Sequence, residues 1–96
     1  MNHDELRAKA MRRPAVRRAY ESMRLEYALL ERMLAARRRA SLSQAEVARR
    51  MGTKPPAVVR LERSLTTGAH SPSLATLRKY AYAVNCELDI KLLAHG

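Results

Sequence analysis

From Ala15 onward, apolar side chains recur at Val16, Tyr20, Met23, Tyr27, Leu30 and Leu34. Steps of 4, 3, 4, 3 and 4 between them describe one face of a single long helix. It ends in Arg37-Arg38-Arg39, cations that suit the negative end of a helix dipole. The stretch 27–34 is expected to pack on its own domain, whereas 16–23 extends beyond what a compact domain needs and is open to a partner. Ahead of this helix, residues 1–13 are polar and Arg-rich with only weak helical patterning at Leu6 and Ala10, and Pro14 marks a boundary.

Beyond Ser41-Leu42 the punctuation becomes dense. Ser43-Gln44-Ala45-Glu46 reads as a capping box, in which the serine hydroxyl accepts a backbone N–H and the glutamate reaches back. A short helix over 44–51 follows, with Ala45, Val47, Ala48 and Met51 available for packing, and Gly52 stands where a helix closes in a left-handed residue. Thr53 is placed to cap the next helix, which opens on Lys54-Pro55-Pro56; proline is tolerated in a first turn because those positions have no intrahelical N–H partner. That helix is expected to reach about Arg63, burying Val58 and Leu61. Residues 64–71 read as a polar loop. Ser71 and Pro72 are expected to start a further helix with Leu74, Leu77, Ala81 and Val84 toward the core and Asn85 as a left-handed stop. Residues 86–92 then alternate strictly, apolar on even numbers and charged on odd, the pattern of a half-buried strand. Nothing else in the chain offers it a ladder, so the expectation is pairing across a homodimer through Cys86, Leu88, Ile90 and Leu92.

Charge sharpens this picture. The 96 residues carry 19 Lys and Arg against 9 Asp and Glu, a formal +10. Residues 1–40 hold 11 basic and 5 acidic side chains, and residues 41–96 hold 8 and 4, so both halves are basic. Such a chain is drawn to polyanions, although charge alone does not separate DNA from RNA, an anionic membrane or an acidic protein. Phe and Trp are absent, leaving a small core of Leu, Val, Met, Ala and Tyr that a second copy would help to stabilise. The lone Cys86 excludes an intrachain disulfide or a multi-Cys zinc site. The N-terminus lacks a signal-type apolar region and no run of membrane-spanning length occurs, so the expected location is cytoplasmic, with no membrane partner.

Two short helices joined by a tight glycine turn cross steeply, so that the second can lie in a DNA major groove while the first spans the backbone. Pattern alone equally allows a helical hairpin that only packs. The residues Leu42-Ser43-Gln44-Ala45-Glu46-Val47-Ala48, Met51-Gly52-Thr53 and Val58-x-Arg60-Leu61-Glu62 resemble the lambda/434-repressor-like (Cro/C1, XRE) helix-turn-helix family. The flanks Tyr20-Glu21-x-Met23, Glu26-Tyr27, the run from Pro72 to Ala81 and the segment 86–90 are similar to HigA-type antitoxins of toxin–antitoxin operons. The fold so implied is all-α, a four- or five-helix lambda repressor-like domain with an N-terminal helical extension and one C-terminal β-strand pairing across a homodimer. Residues 1–24 form the extension and 25–96 the DNA-binding domain.

The resemblance also implies roles. Gln44 would contact phosphate, as would Thr53 or Lys54, and Pro55, Pro56 and Arg60 would occupy base-reading positions, with Ala57, Val59 and Arg63 close by. Relatives commonly carry polar readers at the two proline positions, and proline donates nothing to a base edge. Direct hydrogen bonding therefore falls to Arg60, as a guanine reader or, alternatively, a phosphate contact or salt bridge. The implied partners are a palindromic double-stranded operator, a RelE/HigB-like mRNA-cleaving toxin and a second copy of the chain; the toxin would meet Arg13, Val16, Arg17, Tyr20 and Met23. A free-standing phage-type repressor without a toxin is the alternative, and a third is an interaction module that no longer reads DNA. His3, His70 and His95 lack mutual ligand spacing, and no acid–base pair or phosphate loop occurs, so no metal, cofactor or catalytic residue is expected.

Overall fold

The computed structural model describes residues 3–10, 12–68 and 70–95. Six helices are present among them: α1 (His3–Ala10), α2 (Pro14–Ser22), α3 (Arg24–Arg39), α4 (Gln44–Met51), α5 (Pro55–Thr67) and α6 (Leu74–Ala83). Helix α4 packs on α5 and α6, α3 packs on α5, and α2 adjoins α3. Their shared core contains Met33 and Ala36 from α3, Val47 and Ala48 from α4, Val58, Leu61 and Leu65 from α5, and Leu77, Tyr80 and Ala83 from α6, with Val84 just beyond.

Local chemistry accounts for most boundaries. Ser43 accepts the Glu46 backbone N–H at 3.1 Å, as expected, but the Glu46 carboxylate turns to Arg49 instead of reaching back. Gly52 adopts φ 73°, and the N–H groups of Gly52 and Thr53 return to the carbonyls of Arg49 and Ala48 at 3.1 and 2.8 Å. These bonds close a Schellman turn and leave only three residues between α4 and α5. The same closure ends α6 at Asn85 (φ 64°) and ends α3 at Ser41 (φ 56°), a left-handed serine that the sequence does not advertise.

Several expectations are corrected. The long helix is interrupted at Met23, whose φ −113° and ψ 17° leave the helical region. Its side chain lies against Gly68, where an added Cβ would stand 2.9 Å from Met23 Cε. Tertiary packing here overrides an unbroken apolar stripe. Helix α5 runs to Thr67 instead of stopping near Arg63, because Leu65 is buried and Gly68 (φ 69°) provides the left-handed cap. Helix α6 starts at Leu74 with Ser73, not Ser71, accepting the Thr76 N–H. Leu74 is exposed, while Tyr80 and Ala83 join the core.

The C-terminal β-strand is absent: residues 86–95 have no secondary structure, and among the described residues there is no strand at all. Alternation supplies two faces to an extended segment but no ladder, and a strand exists only where backbone groups find a second one. Cys86 and Leu88 instead rest half-buried on this chain's own core, while Ile90 is exposed and Leu92 fully so. The homodimer ladder expected of these four residues is therefore overturned, and the fold is all-α.

At the centre of the helical packing lies a carboxylate. Glu62 is buried, and its Oε2 accepts from Tyr80 Oη at 2.7 Å and from Arg37 Nε at 3.1 Å. Its Oε1 accepts from Gln44 Nε2 at 2.8 Å. Arg37 also donates to the Leu42 carbonyl at 3.3 Å. One charge thus joins α3, α4, α5 and α6. Removing it as Glu62→Ala leaves a guanidinium, an amide and a phenol without their shared acceptor. The expected cost is about 3–5 kcal/mol of stability, read by urea unfolding. Burial first, and then the Glu62 carboxylate, push the Tyr80 hydroxyl well above the ordinary tyrosine range. The folded state therefore favours the neutral phenol. This contribution is complete below the unfolded tyrosine value of about 10 and is lost as pH rises beyond it, at up to about 1.4 kcal/mol per pH unit. Unfolding measured between about pH 9 and 11 should show that slope in the wild type and a shallower one in Tyr80→Phe.

Candidate nucleic-acid interface

Helix α5 divides cleanly by period. Val58, Leu61, Glu62 and Leu65 are buried, whereas Pro56, Val59, Arg60 and Arg63 share the opposite, exposed face at i, i+3, i+4 and i+7 spacing. Ala57 is half-buried between the two. The outward face of a rigidly seated helix is thus one apolar strip, Pro56 and Val59, beside two cations. Among the described residues no side-chain hydrogen bond or ion pair occupies Lys54, Arg60 or Arg63. Each guanidinium keeps its full donor set for an outside partner.

The start of α5 is unusual. Lys54, not Thr53, is its N-cap, in extended conformation (φ −112°, ψ 155°) and without a side-chain capping bond. Pro55 and Pro56 fill the first two helical positions, so two of the N–H groups a helix normally turns toward an anion do not exist. Anion contact at this end depends on side chains, and exposed Thr53 and Lys54 are those present.

Gln44, expected at a phosphate, is half-buried and gives an amide N–H to Glu62. Its position is fixed by the core, and its second N–H remains. On the outer side of α4, Glu46 pairs with Arg49 and lies 3.6 Å from Arg50. The Arg49 hydrogen bond leads the contributions that hold the Glu46 carboxyl below the usual carboxylate range. Arg50 was not singled out by sequence; it donates to the Ala83 carbonyl at 3.0 Å and lies 3.5 Å from Asn85 Oδ1, placing a cation at the C-terminal end of α6.

The residues expected to meet a toxin differ in exposure. Arg13, Val16 and Arg17 are exposed along α2 and its approach, whereas Met23 is half-buried against Gly68. The side chain of Tyr20 lies outside the described residues. Two grooves flank the helices. One of about 380 Å³ runs between α3 and α5 past Leu30, Leu34, Val59 and Arg63. The other, about 400 Å³, lies between α3, α6 and the tail, past Leu29, Met33, Leu77 and Leu88. No group of three His, Cys, Asp or Glu that could hold a metal occurs among the described residues, and no helix there is long and apolar enough to cross a membrane.

Two short packed helices joined by a closed glycine turn, seated on a buried carboxylate and presenting unpaired cations, define a helix-turn-helix DNA-binding protein. The helix-turn-helix family matches residues 33–91, and the chain belongs to it. The likeness extends to antitoxins of the HigA type: the chain is 38% identical over 64 residues to antitoxin HigA1 of Mycobacterium tuberculosis, in strains CDC 1551 and H37Rv alike. That stretch is 67% of this chain and 40% of each relative, so the chain spans less than half the length of the proteins it matches. No solved structure matches it. Arg60→Ala is expected to lower discrimination between the preferred DNA site and mixed sequence by about 1–3 kcal/mol, measured by competition binding.

Proposed function

We propose that the chain is a sequence-specific DNA-binding antitoxin that represses its own operon and neutralises a RelE/HigB-like mRNA endonuclease. The observation that carries the DNA half is the exposed face of α5, where Arg60 and Arg63 stand free beside Lys54 on a core-locked helix. Arg60 reads a guanine edge, and Pro55, Pro56 and Val59 offer apolar contact to thymine methyls. Lys54, Thr53 and the second N–H of Gln44 hold phosphates. The likeness to antitoxin HigA1 supports the toxin half. Exposed Val16 on α2 is assigned as the toxin's apolar contact.

The protein works as a homodimer on a palindrome, with recognition helices about 34 Å apart and half-sites one turn apart. Exposed Ile90 and Leu92 supply apolar side chains that a second copy would cover, without any strand ladder. Footprinting of the region upstream of the coding sequence should give a protected palindrome that disappears with Arg60→Ala. Co-expression with an adjacent gene for a small basic protein should give co-purification that Val16→Glu abolishes. An unprotected upstream region removes the repressor role, and no co-purifying neighbour removes the toxin and leaves a free-standing repressor.

A further inference from the structure

The N-terminal extension lies outside the family match, which begins at residue 33, and it carries a charge cluster that the fold does not use. Arg12, Arg13, Arg17 and Arg18 fall within seven residues with no acid between them. All four are exposed, and among the described residues none has a hydrogen bond or ion pair from its side chain. Nothing local rewards this arrangement. Arg12 and Arg13 precede α2, at the positive end of its dipole, and α2 has no acidic residue in its first turn to offset them. By contrast, Arg7 of α1 is paired with Glu31 of α3 at 2.7 Å, so cations in this region that serve the fold do find partners.

Contacts near both ends of the extension tie it to the domain. Met23 at its C-terminal end is seated on Gly68, the cap of the recognition helix α5. Arg7 ties α1 back to α3. At ~1.5 Å of rise per residue, α2 carries Arg18 and Arg17 ~8–9 Å and Arg13 ~15 Å along its axis from Met23. Unpaired like charges at this spacing repel one another, and a polyanion that neutralises them is the complementary partner.

We propose that Arg12, Arg13, Arg17 and Arg18 form a second, sequence-independent contact to the phosphates of duplex DNA, outside those met by α4 and α5. This rests on the reading of α5 as the DNA-recognition helix. It also takes Arg13 and Arg17 from the set expected to meet the toxin and leaves Val16 of that set to it. Duplex DNA is preferred to a protein because the free side chains of α5 are also cationic and the extension is seated on the end of that helix through Met23 and Gly68. Phosphate contacts position a protein without reading sequence, which suits a cluster of arginines with no fixed geometry between them.

The test is binding to a mixed-sequence duplex of about 40 base pairs, by fluorescence anisotropy across a series of salt concentrations. The chain carrying Arg12→Ala, Arg13→Ala, Arg17→Ala and Arg18→Ala together should bind more weakly. Its slope of log affinity against log salt should fall by roughly 2–4, at about 0.9 per lost phosphate contact. Lysine at the same four positions should restore the slope, since charge is what the contact needs, and circular dichroism should be unchanged because all four side chains are exposed. An unchanged slope and affinity in the alanine variant overturns the proposal while leaving α5 in place. Loss of toxin co-purification with an unchanged slope overturns it in favour of a protein partner. If the wild-type chain binds no duplex at all, the reading of α5 fails and this proposal fails with it.

Discussion

The buried carboxylate of Glu62 is the constraint on which the rest of the molecule depends. A carboxylate in an apolar core is tolerated only when its lone pairs are satisfied, and here an arginine, a glutamine and a tyrosine do so from three other helices. The partners lie 25, 18 and 18 residues away in sequence, so the bonds form only when α3, α4, α5 and α6 are all docked. A core without Phe or Trp has little apolar area with which to fix helix crossing angles. A directional network does what bulk burial cannot: it admits one arrangement of the four helices and disfavours near alternatives.

That arrangement is what makes the outer face of α5 useful. Because Glu62 and its neighbours Val58, Leu61 and Leu65 hold the inner side, Arg60 and Arg63 project from a helix that cannot roll. The two prolines stiffen its first turn while removing two N–H donors, and the exposed polar side chains at that end are Lys54 and Thr53. The same network takes hold of Gln44, so the first helix of the motif is oriented by the interior that orients the second. Recognition surface and core are one mechanical unit.

The extension obeys a different logic. It adds little to the core, and Met23 on Gly68 and Arg7 on Glu31 tie it to the domain. Its arginines Arg12, Arg13, Arg17 and Arg18 are exposed, and none of them is paired among the described residues. Residues 86–95 stand in a similar relation to the domain, but with apolar rather than charged side chains left uncovered beyond Leu88.

What was legible in the sequence was local. Ser43 as a cap, Gly52 and Asn85 as left-handed stops and prolines opening α5 are each settled by residues within a few positions of one another, and each is present as expected. The helix-turn-helix itself was legible for that reason. The tertiary structure decided where the long stripe from Val16 to Leu34 breaks, how far α5 runs, which face of α6 is buried and what Gln44 touches. It also decided that residues 86–92 form no strand. In each case the deciding contact joins residues far apart in the chain, or requires a partner that alternation cannot supply, and no periodicity of apolar positions records either.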